Sequence, residues 1–122
     1  MFLTEEEILG TSAALKLTCD YFGQNAEMID AFFAANAQRK FTVMGCGSSY
    51  MLSKSAAAVL ASFPETAANA IPAGDYIAAP AFWQDTVRGS IVLMLSRSGR
   101  TSEMVWAARK IKQSLGCPII SI

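Results

Sequence analysis

Two short segments rich in glycine and hydroxyl side chains have the residue types needed to bind a small anionic ligand. The first runs Gly45-Cys46-Gly47-Ser48-Ser49, and the second runs Ser96-Arg97-Ser98-Gly99-Arg100-Thr101-Ser102. Glycine lets the backbone approach a ligand closely, and serine or threonine hydroxyls can donate hydrogen bonds to its oxygen atoms. Each segment follows a short apolar run and precedes a helical pattern, which predicts two strand-to-helix turns.

The second segment holds more side chains that can bind phosphate than the first. Its seven residues hold four hydroxyl groups, one glycine and two arginines, Arg97 and Arg100. Free N–H groups and the helix dipole favour an anion at a helix N-terminus, and arginine adds positive charge. From Arg88 onward the sequence contains six basic residues and one acid, Glu103. A capped helix with solvated arginines is the competing interpretation, but the density of donors favours a phosphate site.

The first segment allows two interpretations. It begins like the GxGxxG fingerprint of dinucleotide-binding folds, but Tyr50 stands at the third glycine position, and the GKS/T ending of a P-loop is missing. Ser48 and Ser49 therefore either contact a ligand or serve only as a helix N-cap and its neighbour. A small phosphorylated, polyhydroxylated ligand fits the two turns better than a nucleotide, since no aromatic or acidic ribose clamp is evident.

The elements around these segments predict an α/β fold. Strands that alternate with helices form a parallel sheet covered on both faces, with ligands at the C-terminal ends of the strands. Helices are predicted at about 50–62 and 102–115, and strands at 41–44, 70–71, 91–95 and 118–122. The second strand is expected to be weak and cut short by Pro72 and Gly74.

Two helices are predicted ahead of the sheet. Thr4 with Glu7 matches a capping box at the start of the first, and the Gly10-Thr11 pair is expected to interrupt it. The second covers residues 26–37, with its apolar side chains on one face. The predicted domain organisation is therefore a helical lead-in over residues 1–40 and an α/β domain over residues 41–122.

Composition excludes several classes of function. Ten basic and ten acidic residues give no net charge, which argues against nucleic acid or membrane as a partner. The chain has no histidine, so histidine catalysis and histidine zinc sites within it are excluded. Three cysteines without CxxC spacing indicate reduced thiols in the cytoplasm, and neither a metal nor a cofactor is expected. The 16% of charged residues, against roughly 25% in typical domains, predicts apolar surface that something else covers.

At the two turns the sequence resembles the SIS (sugar isomerase) domain family. The family places G-x-G-[ST]-S after one strand and S-x-S-G-x-T after a later one, and both motifs occur here in that order. The resemblance covers roughly residues 41–122. Residues 45–58 are most similar to the first SIS unit of tandem-SIS enzymes, such as the isomerase half of glutamine–fructose-6-phosphate aminotransferase and the tagatose-6-phosphate ketose/aldose isomerase group. The resemblance to the family implies a three-layer αβα sandwich with a flavodoxin-like parallel sheet. The C-terminal part of that sheet would lie beyond Ile122.

The resemblance also implies roles for residues. Ser96, Ser98 and Thr101 would bind the phosphate of a sugar, with help from the backbone N–H groups of Arg97 and Gly99. Gly47, Ser48 and Ser49 would contact the sugar. The catalytic residues of the tandem enzymes lie outside the first unit, so none is assigned here, and this chain alone is expected to be inactive. Many members of the family have glutamate where this chain has Arg100. This difference leaves the implied phosphate binding intact, but the oligomer contacts or the substrate of this chain could differ from those of the family.

Three functions follow from the resemblance. The first is phosphosugar binding as the N-terminal SIS unit of an aldose–ketose sugar-phosphate isomerase or deaminase, acting in the cytoplasm as a homodimer or higher homo-oligomer. The second is a non-enzymatic phosphosugar-sensing module of a regulator. The third is a single-SIS isomerase or an etherase-like enzyme. The acids of the sheet region are Glu65, Asp75, Asp85 and Glu103. None has a context typical of a catalytic base, although Asp75 follows a predicted strand end and could face the pocket.

Overall fold

The computed structural model describes residues 2–37 and 40–122, and the chain divides into two compact units, Met1–Ala37 and Gln38–Ile122. The first unit holds helices α1 (Leu3–Gln24) and α2 (Ala26–Ala35). Within the described residues of this unit, neither helix has a buried residue. Across the described parts of both units, no helix combines the length and the apolar character needed to cross a membrane.

The predicted start and interruption of α1 are both wrong. Phe2 is the N-cap and Leu3 begins the helix, so Thr4 lies inside the first turn rather than at a capping position. The Phe2 carbonyl accepts the N–H of Glu5 at 3.0 Å, so the backbone itself closes this end. The helix continues through Gly10, because one glycine in a helix costs only about 1 kcal/mol relative to alanine, which 22 residues can absorb.

The second unit is a four-stranded parallel sheet with helices on both of its faces, which confirms the predicted fold class. The strand order is β2-β1-β3-β4, the flavodoxin-like order for four strands. Its elements in chain order are β1 (Lys40–Gly45), α3 (Ser48–Ala61), β2 (Ala67–Pro72), α4 (Ala73–Ala78), α5 (Pro80–Val87), β3 (Ile91–Met94), α6 (Ser102–Ser114) and β4 (Ile119–Ser121).

The segment between α3 and β3 differs most from the sequence prediction. β2 is six residues long and pairs in register with β1 from Ala67 to Pro72, rather than being confined to two residues. Helices α4 and α5 were not predicted, because Gly74 and Pro80 are typical helix breakers. Pro80 is accommodated because it stands in the first turn of α5, where its missing N–H needs no partner.

The sheet separates two apolar clusters. Met44 and Val92 lie on the face that packs against α4 and α6, where they meet Ile111. Val43 points to the opposite face and packs against Ala57 of α3. Successive side chains of a strand alternate between faces, and burial on both faces explains why β3 is a continuous apolar run.

A buried hydroxyl pair joins β1 to the end of α5. Thr42 Oγ1 and Ser90 Oγ lie 2.9 Å apart, and Ser90 Oγ donates to the Val87 carbonyl at 2.6 Å. Because the Ser90 proton is used in the second bond, Thr42 is the donor in the first. Both side chains are fully buried, so neither hydroxyl has water as an alternative partner.

Ser90→Ala should therefore destabilise the second unit. It removes the acceptor of the Thr42 hydroxyl, and a buried polar group without a partner costs about 1–3 kcal/mol. The Val87 carbonyl keeps the backbone N–H of residue 90 at 3.0 Å and the Cys117 thiol. Urea unfolding measures the loss, with Ser114→Ala on the exposed end of α6 as the control, expected to change stability by less than about 0.5 kcal/mol. Equal effects of the two variants would contradict this account of the pair.

Candidate functional site

Two strand-to-helix turns leave the sheet from adjacent positions. β1 and β3 are paired neighbours, and the N–H of Leu95 donates to the Met44 carbonyl at 2.9 Å, where both strands end. The strand order reverses at this point, because β2 pairs with one side of β1 and β3 with the other. In open parallel sheets such a crevice is the usual place for a ligand. The structure thus brings the turn after β1 and the turn after β3 together, as the sequence predicted.

Close packing requires glycine at the start of the first turn. A Cβ atom on Gly45 would lie 2.6 Å from the carbonyl carbon of Ser49, closer than real Cβ contacts. Gly47 has a φ of 54°, in the left-handed region that favours glycine, and it is the N-cap of α3. The prediction that Ser48 could be the N-cap is therefore wrong. Ser48 and Ser49 are the first two residues of the helix, the former exposed and the latter half-buried.

The second turn is shaped by hydrogen bonds to its own serines. The N–H of Gly99 donates to Ser96 Oγ at 3.1 Å, and the N–H of Arg100 donates to Ser98 Oγ at 3.2 Å. Thr101 is the N-cap of α6. The positive end of the α6 dipole and the first N–H groups of the helix therefore lie at this turn.

Solvent reaches both turns, so a solute can reach them as well. Ser96 and Thr101 are half-buried, whereas the residues between them are exposed, Arg97 and Arg100 included. In the part of the chain that the structure describes, no three cysteine or acidic side chains come together as metal ligands. Hydroxyl groups, helix N-termini and two arginines instead suit an anion that carries several hydroxyl groups.

Cys46 connects the first turn to two other elements. Burial raises the pKa of its thiol, and the nearby Glu103 carboxylate of α6 raises that pKa further. Hydrogen bonds from the backbone of Ala73 and Gly74, at the start of α4, act in the opposite direction. The start of α4 and the first turn of α6 therefore both lie close to the turn after β1. Sequence reasoning missed this cluster, since its one signal was the position of Cys46 between two glycines.

Glu103→Gln should speed the alkylation of Cys46. Only the thiolate reacts, and removing the carboxylate lowers the thiol pKa, so we expect a rate increase of roughly twofold or more near pH 7.5. The rate should rise with pH in both proteins, with the midpoint lower in the variant. The alkylation rate is measured by treating the folded protein with iodoacetamide for set times and quantifying the modified Cys46 peptide by mass spectrometry. Glu65→Gln, which precedes β2 at the opposite end of the strands, is the matched control; an equal increase there would contradict the placement of Glu103.

A family model matches most of the chain. The family model described as SIS domain matches residues 35–122, which include both turns, all four strands and helices α3 to α6. No curated protein matches the chain. The predicted similarity to the first unit of tandem enzymes is finer than this match and stays a prediction.

Proposed function

Because the chain belongs to the SIS domain family, we propose that its two adjacent turns together bind one sugar phosphate. SIS domains generally bind phosphosugars. The observation that carries the proposal is the hydrogen bond between Leu95 and Met44, which joins β1 and β3 where the two hydroxyl-rich turns begin. One ligand can then contact both turns at once.

The second turn supplies the phosphate end of the proposed site. A hydroxyl has one proton and two lone pairs. Ser96 and Ser98 each accept one N–H group of their own turn, which engages one lone pair of each hydroxyl and leaves its proton able to point to a phosphate oxygen. Thr101 adds a third hydroxyl at the helix N-cap, and the resemblance adds the backbone N–H of Arg97. The N–H of Gly99, which the resemblance also assigns to the phosphate, already donates to Ser96 Oγ, so a phosphate has to displace that bond to use it. This arrangement stabilises a dianion without a metal ion.

The first turn supplies the sugar end. Gly47 holds the chain in a left-handed conformation that no larger side chain adopts easily, and it places Ser48 and Ser49 at the start of α3. Their hydroxyl groups can both donate and accept, which suits the hydroxyl groups of a sugar. In the proposed site the turn after β3 therefore binds the anionic phosphate, and the turn after β1 binds the uncharged polar part of the sugar.

We further propose that the protein is an aldose–ketose sugar-phosphate isomerase or deaminase of the cytoplasm, with this chain as its N-terminal SIS unit and with a homo-oligomeric assembly. The support is the similarity of residues 45–58 to the tandem enzymes. Isomerisation needs a base that moves a proton between C1 and C2 of the sugar. Neither turn contains an acid or a histidine, so that base would come from outside the two turns. The same lack of a base supports the alternative, a phosphosugar-sensing module of a regulator.

Changing Ser98→Ala together with Thr101→Ala tests the phosphate assignment. Hydrogen bonds to a charged group contribute about 1.5–3 kcal/mol each, so hexose 6-phosphate should bind at least about tenfold more weakly. The unphosphorylated hexose should be affected much less. Calorimetry measures both ligands, and Ser55→Ala on the exposed side of α3 is the control. Equal weakening of both ligands would overturn the assignment.

Proton exchange distinguishes the enzyme from the sensor. The natural protein that carries this domain is incubated in deuterated water with hexose 6-phosphates that it binds, and NMR follows the proton at C2. An isomerase removes the C2 proton of the aldose and should deliver deuterium from the solvent to C1 of the ketose, and to C2 each time the aldose re-forms. Binding without exchange for every phosphosugar tried would reject the enzyme and leave the sensing module.

A further inference from the structure

One carboxylate lies beside the proposed sugar-phosphate site without belonging to either turn. Glu103 is in the first turn of α6, two residues after the N-cap Thr101, and its side chain is exposed. The next residue, Met104, is buried in the apolar cluster against which Cys46 packs. Glu103 therefore stands at the solvent-facing margin of the cluster that joins α6 to the turn after β1.

The charge of Glu103 acts on the crevice rather than on a neighbouring cation. Its carboxylate raises the pKa of the Cys46 thiol, so it is close enough for a Coulomb interaction with the turn after β1. Arg100 precedes it by three residues but forms no ion pair with it. In the part of the chain that the structure describes, the ion pair found joins Arg88 to Asp85, at 4.0 Å. The negative charge of Glu103 is therefore left to act on a ligand.

The cations around the crevice are distributed unevenly between its two turns. The turn after β3 has Arg97, Arg100 and the positive end of α6, which together offset one carboxylate. The turn after β1, residues 45–49, has no basic residue, and neither has α4, whose start lies beside Cys46. An anionic group at the turn after β3 is thus compensated, whereas one near the turn after β1 meets Glu103 without compensation.

We propose that Glu103 is a specificity-determining residue that accepts hydroxyl protons of the sugar and rejects a second anionic group at the end of the ligand remote from its phosphate. The ligand class is then a sugar monophosphate whose other groups are uncharged. Sugar-acid phosphates and sugar bisphosphates bind more weakly. This inference rests on the proposed binding of one sugar phosphate across both turns.

The chemistry of a carboxylate accounts for both parts of this role. An ionised carboxylate only accepts hydrogen bonds, through two oxygen atoms, so it can bind two neighbouring hydroxyl groups of a sugar at once. The hydroxyl groups of Ser48 and Ser49 can donate as well as accept, so Glu103 adds the one group here that only accepts. A second anionic group offers no proton in exchange and is repelled by the charge.

Two open-chain ligands that differ in charge at C1 test the role of Glu103. A hexitol 6-phosphate ends in an uncharged CH₂OH group, and the corresponding 6-phosphoaldonate ends in a carboxylate. In calorimetry at low salt, the full chain should bind the aldonate about fivefold or more weakly than the hexitol. Glu103→Gln should reduce this ratio at least about threefold. The ratio is the quantity to compare, because removing the carboxylate also changes the repulsion of the phosphate that both ligands share.

Controls separate the charge of Glu103 from other effects. Glu65→Gln, at the opposite end of the strands, should keep the wild-type ratio, and so should Glu103→Asp, which keeps the charge. Salt at about 0.5 M should lower the wild-type ratio by screening and leave that of Glu103→Gln nearly unchanged.

The outcomes distinguish this inference from the function on which it rests. Saturable binding of the hexitol 6-phosphate with a wild-type ratio near one, or with equal ratios in the wild type and Glu103→Gln, would overturn the role of Glu103 and leave phosphosugar binding intact. Failure of the wild type to bind either ligand would instead refute phosphosugar binding, and this inference with it.

Discussion

The pairing of β1 with β3 is the constraint on which the rest of the second unit depends. β1 lies between β2 and β3, so the chain first crosses from β1 to β2 on one side and then returns past β1 to β3 on the other. The bond from the Leu95 N–H to the Met44 carbonyl fixes the register where both strands end. The chain turns directly after β1 and brings the backbone of Ser49 so close to Gly45 that a side chain on residue 45 has no room. The crevice is a consequence of topology, and its chemistry comes from the two turns that topology places there.

Groups that favour an anion and one carboxylate that opposes it lie around this crevice. Burial and the Glu103 carboxylate raise the pKa of the Cys46 thiol, so the thiolate is even scarcer at neutral pH than for an ordinary cysteine. A thiolate at that position would repel a phosphate group, whereas a neutral thiol does not. The same environment that makes Cys46 slow to react therefore supports the proposed ligand. The turn after β1 has no acid, and the positive end of α6 with Arg97 and Arg100 favours an anion, whereas the Glu103 carboxylate in the first turn of α6 opposes one.

Local sequence signals predicted the elements that carry strong periodicity. The apolar run of β3 and the amphipathic pattern of α6, with Met104 and Ile111 buried, are unambiguous because burial on both faces or on one face leaves a clear pattern. β2 was underestimated because alanines dominate it and carry little apolar signal. Thr4 was predicted as the N-cap of α1 from its side chain, but the helix begins two residues earlier, after Phe2, whose carbonyl accepts the N–H of Glu5. A capping motif in the sequence therefore does not fix where a helix begins. The proximity of Cys46 to Glu103 depends on tertiary packing across 57 positions, which no local pattern contains.

The central claim is that one phosphosugar contacts both turns, and amide NMR shifts measure this directly. Titration of the labelled chain with a hexose 6-phosphate should give saturable shifts of the N–H signals in residues 45–49 and in residues 96–103 with a common dissociation constant. Inorganic phosphate should shift the second group alone. Shifts absent from one turn at saturation with the sugar phosphate, or centred elsewhere in the sheet, would contradict the account.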